Sequence, residues 1–154
     1  MGVPCGPINR CSVIDIDIKN GIDGFEEFKK LGLIIPRTAI VDTPSGGCHL
    51  YFDTGSEELK NSASKIGPGI DLRGARGYVI GPDSVSKVGT YKWRLRGILP
   101  NQPFAKMPQK LLEMIRGTSY SQRRGKPNKS QVANRLNLPI ELGQRNCEIA
   151  SRIG

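Results

Sequence analysis

Ser12-Val13-Ile14-Asp15-Ile16-Asp17-Ile18 has the period-two pattern and the β-branched content of a strand. On such a strand Ile14, Ile16 and Ile18 face a core, while Asp15 and Asp17 project together from the other face. Two like charges side by side on a half-buried sheet are costly unless something positive offsets them. A divalent cation is the simplest such partner. Taken alone, the run reads equally as a plain exposed face with acidic residues alternating outward.

The neighbouring segments complete a sheet. Asn20-Gly21 predicts a turn, and Asp23 an N-cap for a helix over residues 24–31, in which Phe25, Phe28 and Leu31 recur at helical spacing and Gly32 ends the run. Residues 38–42 and 48–53 read as strands, joined by Thr43-Pro44-Ser45-Gly46-Gly47; so short a link favours an antiparallel hairpin. Residues 54–68 predict a loop, or a short helix over 56–60, closed by Gly67-Pro68-Gly69. Short strands follow at 70–73, 78–80 and 91–94. Residues 108–116 read as a helix with proline at its start and a basic end. The order predicts an α+β fold with helices on one side of the sheet. It fills a core over residues 1–116, followed by a polar, basic linker at 117–139 and the start of a helical segment at 140–154. No internal repeat is visible.

A chain of 154 residues suits one domain plus a tail and buries a core without disulfide staples. No run approaches the roughly 18–20 apolar residues of a membrane span. The opening Met1-Gly-Val-Pro-Cys-Gly-Pro-Ile-Asn-Arg10 lacks the basic and apolar regions of a secretory signal. A soluble cytoplasmic domain with no membrane partner is the expectation. The formal net charge is +9, and it is unevenly placed. Residues 1–93 hold 11 basic and 11 acidic side chains, whereas residues 94–154 hold 12 basic and 3 acidic ones. That asymmetry points to a polyanion such as nucleic acid, against the alternative of a solubilising tail. Cys5, Cys11, Cys48 and Cys147 match no zinc-site spacing and read as small buried thiols.

Two further stretches carry candidate chemistry. In Ser45-Gly46-Gly47-Cys48-His49-Leu50-Tyr51-Phe52 the glycines let backbone approach a ligand, with N–H groups free to cradle phosphate. His49, the only histidine, shares a face with Tyr51, and Cys48, Leu50 and Phe52 share the opposite one. An ordinary Gly-Gly hairpin with a satisfied histidine is the competing reading. In Gly69-Ile-Asp-Leu-Arg-Gly-Ala-Arg-Gly77, running on to Tyr78-Val-Ile-Gly-Pro-Asp-Ser84, Asp71 and Arg73 share a strand face. A third carboxylate beside a guanidinium suits phosphoryl transfer, although a surface ion pair would look the same.

Taken in order, the Asp-Ile-Asp strand, the Ser-Gly-Gly-Cys-His-Leu-Tyr-Phe hairpin and the Gly-Ile-Asp-Leu-Arg stretch resemble the N-terminal domain of bifunctional DNA primase-polymerases, of the archaeo-eukaryotic primase superfamily. The resemblance spans roughly Gly2 to Trp93, and Gly143-Gln-Arg-Asn146 is similar to the start of the helical segment that often follows. It implies an RRM-like antiparallel or mixed sheet with helices on one side. It also implies that Asp15, Asp17 and Asp71 are catalytic carboxylates holding two divalent ions, Mg²⁺ or Mn²⁺. Ser45, Gly46, Gly47, His49 and Arg73 would meet the incoming nucleotide. The implied reaction is attack of a 3′-hydroxyl on the α-phosphate of an NTP or dNTP along a single-stranded DNA template. Such domains serve replication of phages, plasmids and integrated elements, often ahead of a helicase. The basic last third would follow the template backbone, and Tyr91 and Trp93 would either stack on a base or pack in the core. Relatives usually carry a segment ahead of a Gly-Val-Pro-x-Gly-Pro-like stretch, so the chain reads as truncated at both ends. Two alternatives remain on the same residues: a metal-dependent nuclease, and a non-catalytic single-strand-binding remnant.

Overall fold

The strand β2 (Cys11–Ile16) lies in the middle of the main sheet, as an entirely buried run should. The computed structural model describes residues 1–96 and 104–117. Around β2 the described elements are, in chain order, β1 (Gly2–Pro4), β3 (Ile18–Lys19), β4 (Ile22–Asp23), α1 (Gly24–Lys30), β5 (Ile40–Asp42), β6 (Cys48–Asp53), β7 (Ser62–Gly67), β8 (Ile70–Arg73), β9 (Tyr78–Ile80), β10 (Val85–Ser86), β11 (Gly89–Thr90), β12 (Lys92–Leu95), β13 (Ala105–Lys106) and α2 (Gln109–Arg116). The fold is mixed α+β and mostly antiparallel. Its main sheet runs β12-β5-β6-β2-β8-β7, and β13 lies parallel to the far end of β6.

Alternation sorts the sheet into two faces. Ile14 and Ile16 of β2, Leu50 and Phe52 of β6, and Ile70 and Leu72 of β8 form one core with Phe28 of α1 and Leu111 and Ile115 of α2. Both helices therefore cover the same face. On the opposite face Cys11, Val13, Val41 and Tyr51 build a smaller core with Cys5 and Val79, which belong to the β1–β9 layer. That layer covers one end of the face. The other end is left to polar residues.

The expected antiparallel hairpin of β5 and β6 is present, with Val41 opposite His49. Asp23 caps α1 by accepting from the Phe25 and Glu26 N–H groups. The turn at Asn20-Gly21 also stands, with φ of 54° and 77°. Several expectations are corrected. The first strand ends at Ile16 rather than Ile18: the Asp17 N–H still donates to the Gly69 carbonyl in the β8 register, but its own carbonyl leaves the ladder to accept from Gly24. Ile18 is thereby carried out of the core and is exposed. Residues 54–68 hold a turn and then the strand β7, whose polar Ser-Ala-Ser-Lys run shows no apolar alternation and is ordered by pairing with β8. The second strand begins at Ile40, although Thr38 and Ala39 are buried and bond to Tyr51. β1, made partly of Gly and Pro, has no strand signature of its own and is held by β9. Cys5, Cys11 and Cys48 are buried free thiols, as read. The predicted linker, the helical segment at 140–154 and Cys147 lie outside the described residues.

Candidate active site

Register brings the polar residues together. Asp15 on β2 stands opposite His49 on β6 and opposite Asp71 on β8, so the three occupy one row across three strands on the face away from the helices. Arg73 sits one same-face position along β8, and its guanidinium reaches back over the row. Its Nη2 donates to Asp15 Oδ2 at 3.1 Å and to Asp71 Oδ2 at 3.0 Å. Asp71 Oδ1 accepts from the Ser64 N–H at 2.9 Å, at a point where the β7–β8 register is irregular. Asp17 lies just beyond the end of β2 and pairs with Lys19 at 2.5 Å. Ligand oxygens of Asp15, Asp17 and Asp71 all lie within 4.8 Å of one another, and Asp15 and Asp71 are buried.

Three carboxylates face two cations here, Arg73 and Lys19, so the cluster keeps an excess of negative charge. Burial lifts the Asp15 carboxyl above its ordinary range. His49 opposes that rise, the Asp17 charge adds to it, and Arg73 opposes it. Burial also lowers His49, outweighing the pull of Asp15. The His49 Nε2 is 3.6 Å from Asp15 Oδ1, too far for a hydrogen bond, and its buried Nδ1 has no partner among the described residues. Tyr91 tilts against the imidazole with ring centroids 5.8 Å apart. The oxygen-only donor set of the three aspartates, partly buried and short of positive charge, fits a hard divalent cation.

Asp15, His49 and Arg73 line a cleft of about 380 Å³, bounded further by Asn61, Arg76, Tyr78 and Tyr91. Asn61 accepts from the Gly74 N–H at 2.7 Å, fixing the turn that carries Arg76. Sequence reasoning gave no role to Asn61, Arg76 or Tyr78. Arg76 and Tyr78 belong to a quoted stretch, but the left-handed turn that directs Arg76, at φ 64°, leaves no pattern in the sequence. Trp93 does not line this cleft; it packs near Tyr51 in the smaller core, beneath Arg96.

The glycine hairpin serves another purpose than the one expected of its N–H groups. Gly46 N–H donates to the Thr43 carbonyl and Gly47 N–H to Thr43 Oγ1, each at 3.0 Å, so both hold the turn. A Cβ on Gly47 would stand 2.1 Å from the Ile16 carbonyl oxygen, which makes glycine obligatory where the hairpin presses on the end of β2. Ser45 is exposed, with its Oγ 3.0 Å from Thr43 Oγ1, and neither it nor the glycines line the cleft. Among the described residues no helix is long and apolar enough to cross a membrane.

Comparison with protein families finds a match, over residues 1–110, to the family described as bifunctional DNA primase/polymerase, N-terminal. Comparison with curated proteins gives no match.

Proposed function

The chain belongs to the bifunctional DNA primase/polymerase N-terminal family, and from that membership we propose that it carries out templated nucleotidyl transfer at the cleft over β2, β6 and β8. Family membership implies a primase/polymerase type of transfer with DNA and nucleotides as substrates. The observation that carries the site assignment is the acidic triad, with ligand oxygens within 4.8 Å of one another beside His49 and Arg73.

Asp15, Asp17 and Asp71 would hold two divalent ions, Mg²⁺ or Mn²⁺. Bound there, such ions supply Lewis-acid stabilisation of charge on the attacking and leaving oxygens when a 3′-hydroxyl displaces pyrophosphate from an α-phosphate. The chain's own residues supply placement. His49 lines the cleft, where its imidazole would meet a phosphate oxygen, and Tyr91 packs against the ring. Arg73 faces the cleft and offsets triphosphate charge. Ser45, Gly46 and Gly47 reach a nucleotide only if the hairpin rearranges, so their support is weaker than that of His49. Residues 1–116 form the catalytic core in this reading, with a basic linker and the start of a helical segment after it. The product is a new RNA or DNA strand in replication of a phage, plasmid or integrated element, in the cytoplasm, with a helicase as the accompanying activity.

The test is a labelled primer on a longer single-stranded DNA template, with NTPs or dNTPs and Mg²⁺ or Mn²⁺, resolved on a denaturing gel. The expected result is extension that the Asp15→Asn/Asp17→Asn variant loses by on the order of 100-fold or more, because the ions' several kcal/mol of transition-state stabilisation is removed. Metal-dependent shortening would replace the proposal with a nuclease. An unchanged primer, with folded protein that still shifts the template, would replace it with a non-catalytic single-strand binder.

A further inference from the structure

The cleft at the triad has a neighbour. A second depression of about 520 Å³ is walled mainly by Pro4, Pro7, Ile8 and Ala75, and the ridge Arg76-Gly77-Tyr78 lines both depressions. On that ridge Tyr78 is 69% exposed, an unusual state for a large aromatic on a paired strand. One ring edge lies close to the backbone of Gly2, which has no side chain to cover it, so the rest of the ring stays open. Ile8, which also lines the hollow, is 80% exposed. Arg76 makes no ion pair or hydrogen bond among the described residues, although its left-handed turn fixes where its side chain starts. Thus a free cation and an open aromatic ring sit on the rim of the cleft that would take the nucleotide, with an apolar hollow directly behind them.

We infer that this ridge and hollow bind an unpaired base of the single-stranded template, next to the base that pairs with the incoming nucleotide. The inference rests on the proposed function and extends it to a strand-binding subsite. Stacking on Tyr78 is tolerant of base identity because every base has a π-face, and Arg76 meets the adjoining phosphate. Glu58, also on the wall of the hollow, repels a phosphate from within it. The hollow therefore takes the base, and the phosphate stays at Arg76. The ridge is shared by the two depressions, so a template strand leaving the active site on this side crosses it.

The experiment is fluorescence anisotropy of a labelled single-stranded DNA oligonucleotide with the full chain, without metal or nucleotide and at fixed ionic strength. The variants are Tyr78→Ala, Tyr78→Phe and Arg76→Ala. Tyr78→Ala is expected to weaken binding roughly tenfold, within the range of one lost base–aromatic stack, while Tyr78→Phe stays within about twofold of the parent. On an oligonucleotide of the same length built from abasic sites, the parent and Tyr78→Ala bind equally. Arg76→Ala weakens both oligonucleotides alike. Equal binding of parent and Tyr78→Ala to the normal oligonucleotide overturns the inference. So does an equal loss on the abasic one, or no binding by the parent. Because extension is not the readout, a chain that binds through Tyr78 but does not extend primers keeps the subsite and loses the polymerase reading.

Discussion

Arg73 holds Asp15 through Nε and Nη2 and Asp71 through Nη2, and its side chain is 36% exposed while theirs are 11% and 9% exposed. It is the main cation offsetting the triad, since Lys19 is bonded to Asp17 alone. Arg73→Met should therefore cost about 1–3 kcal/mol in urea denaturation with chelator present, less than a fully buried pair because solvent reaches the guanidinium. The same variant should gain more in Tm on addition of Mn²⁺ than the parent does, since the ion then replaces the missing charge. An identical metal response would show that Arg73 does not share these carboxylates with an ion. The row that Arg73 crosses is legible in the sequence because period-two alternation assigns each side chain to a face, and antiparallel register aligns Asp15, His49 and Asp71. Arg76 and Asn61 are not legible. They reach the cleft through turns whose positive φ and side-chain bonds depend on tertiary contacts.

At the scale of elements, what the sequence reveals depends on whether an element is stabilised by its own pattern or by its neighbour. β2, β6 and β8 are buried and apolar on at least one face, and α1 carries its cap at Asp23, so each shows a local signature. β7 and β1 are polar or Gly/Pro-containing and take their order from β8 and β9, which no local window reveals. α2 is the stronger test of how elements hold the site. It buries Leu111 completely and Ile115 nearly so against the back of the sheet, behind the strands that carry the acids. Leu111→Ala should cost about 2–5 kcal/mol in urea denaturation, the range for a buried leucine whose cavity only partly collapses. Asp23→Ala should cost only about 1 kcal/mol, the loss of one N-cap. A Leu111→Ala cost no larger than that of Asp23→Ala would mean that α2 is not integral to the core.

Across the whole molecule, the basic excess of residues 94–154 is partly built into the fold. Arg94 pairs with Asp42, Lys106 with Asp53 and Arg116 with Glu57, while Lys110 bonds to the carbonyls after α1. The described part of that third is thus tied to the rest of the domain, and charge counting alone cannot separate tail from core. The two cores on either face also share buried thiols, which bear on stability at alkaline pH. Cys5 and Cys11 lie in the smaller core and Cys48 in the larger one. Burial pushes Cys5 up to about 11 and Cys11 and Cys48 to about 12, from 9.0 when exposed. The folded state therefore keeps its thiol protons after the unfolded chain has released its own. Their stabilisation is complete below pH 9 and is lost as pH rises through 11 to 12. In that window each thiol contributes a fall of at most about 1.4 kcal/mol per pH unit. Unfolding free energy from urea titrations should be flat in this respect from pH 7 to 8.5 and decline steeply from pH 9.5 to 10.5. Cys48→Ala, which removes the most deeply buried of the three thiols, should make that decline shallower by about 1 kcal/mol per pH unit. An unchanged slope in the variant would place the alkaline transition on the lysines and tyrosines instead.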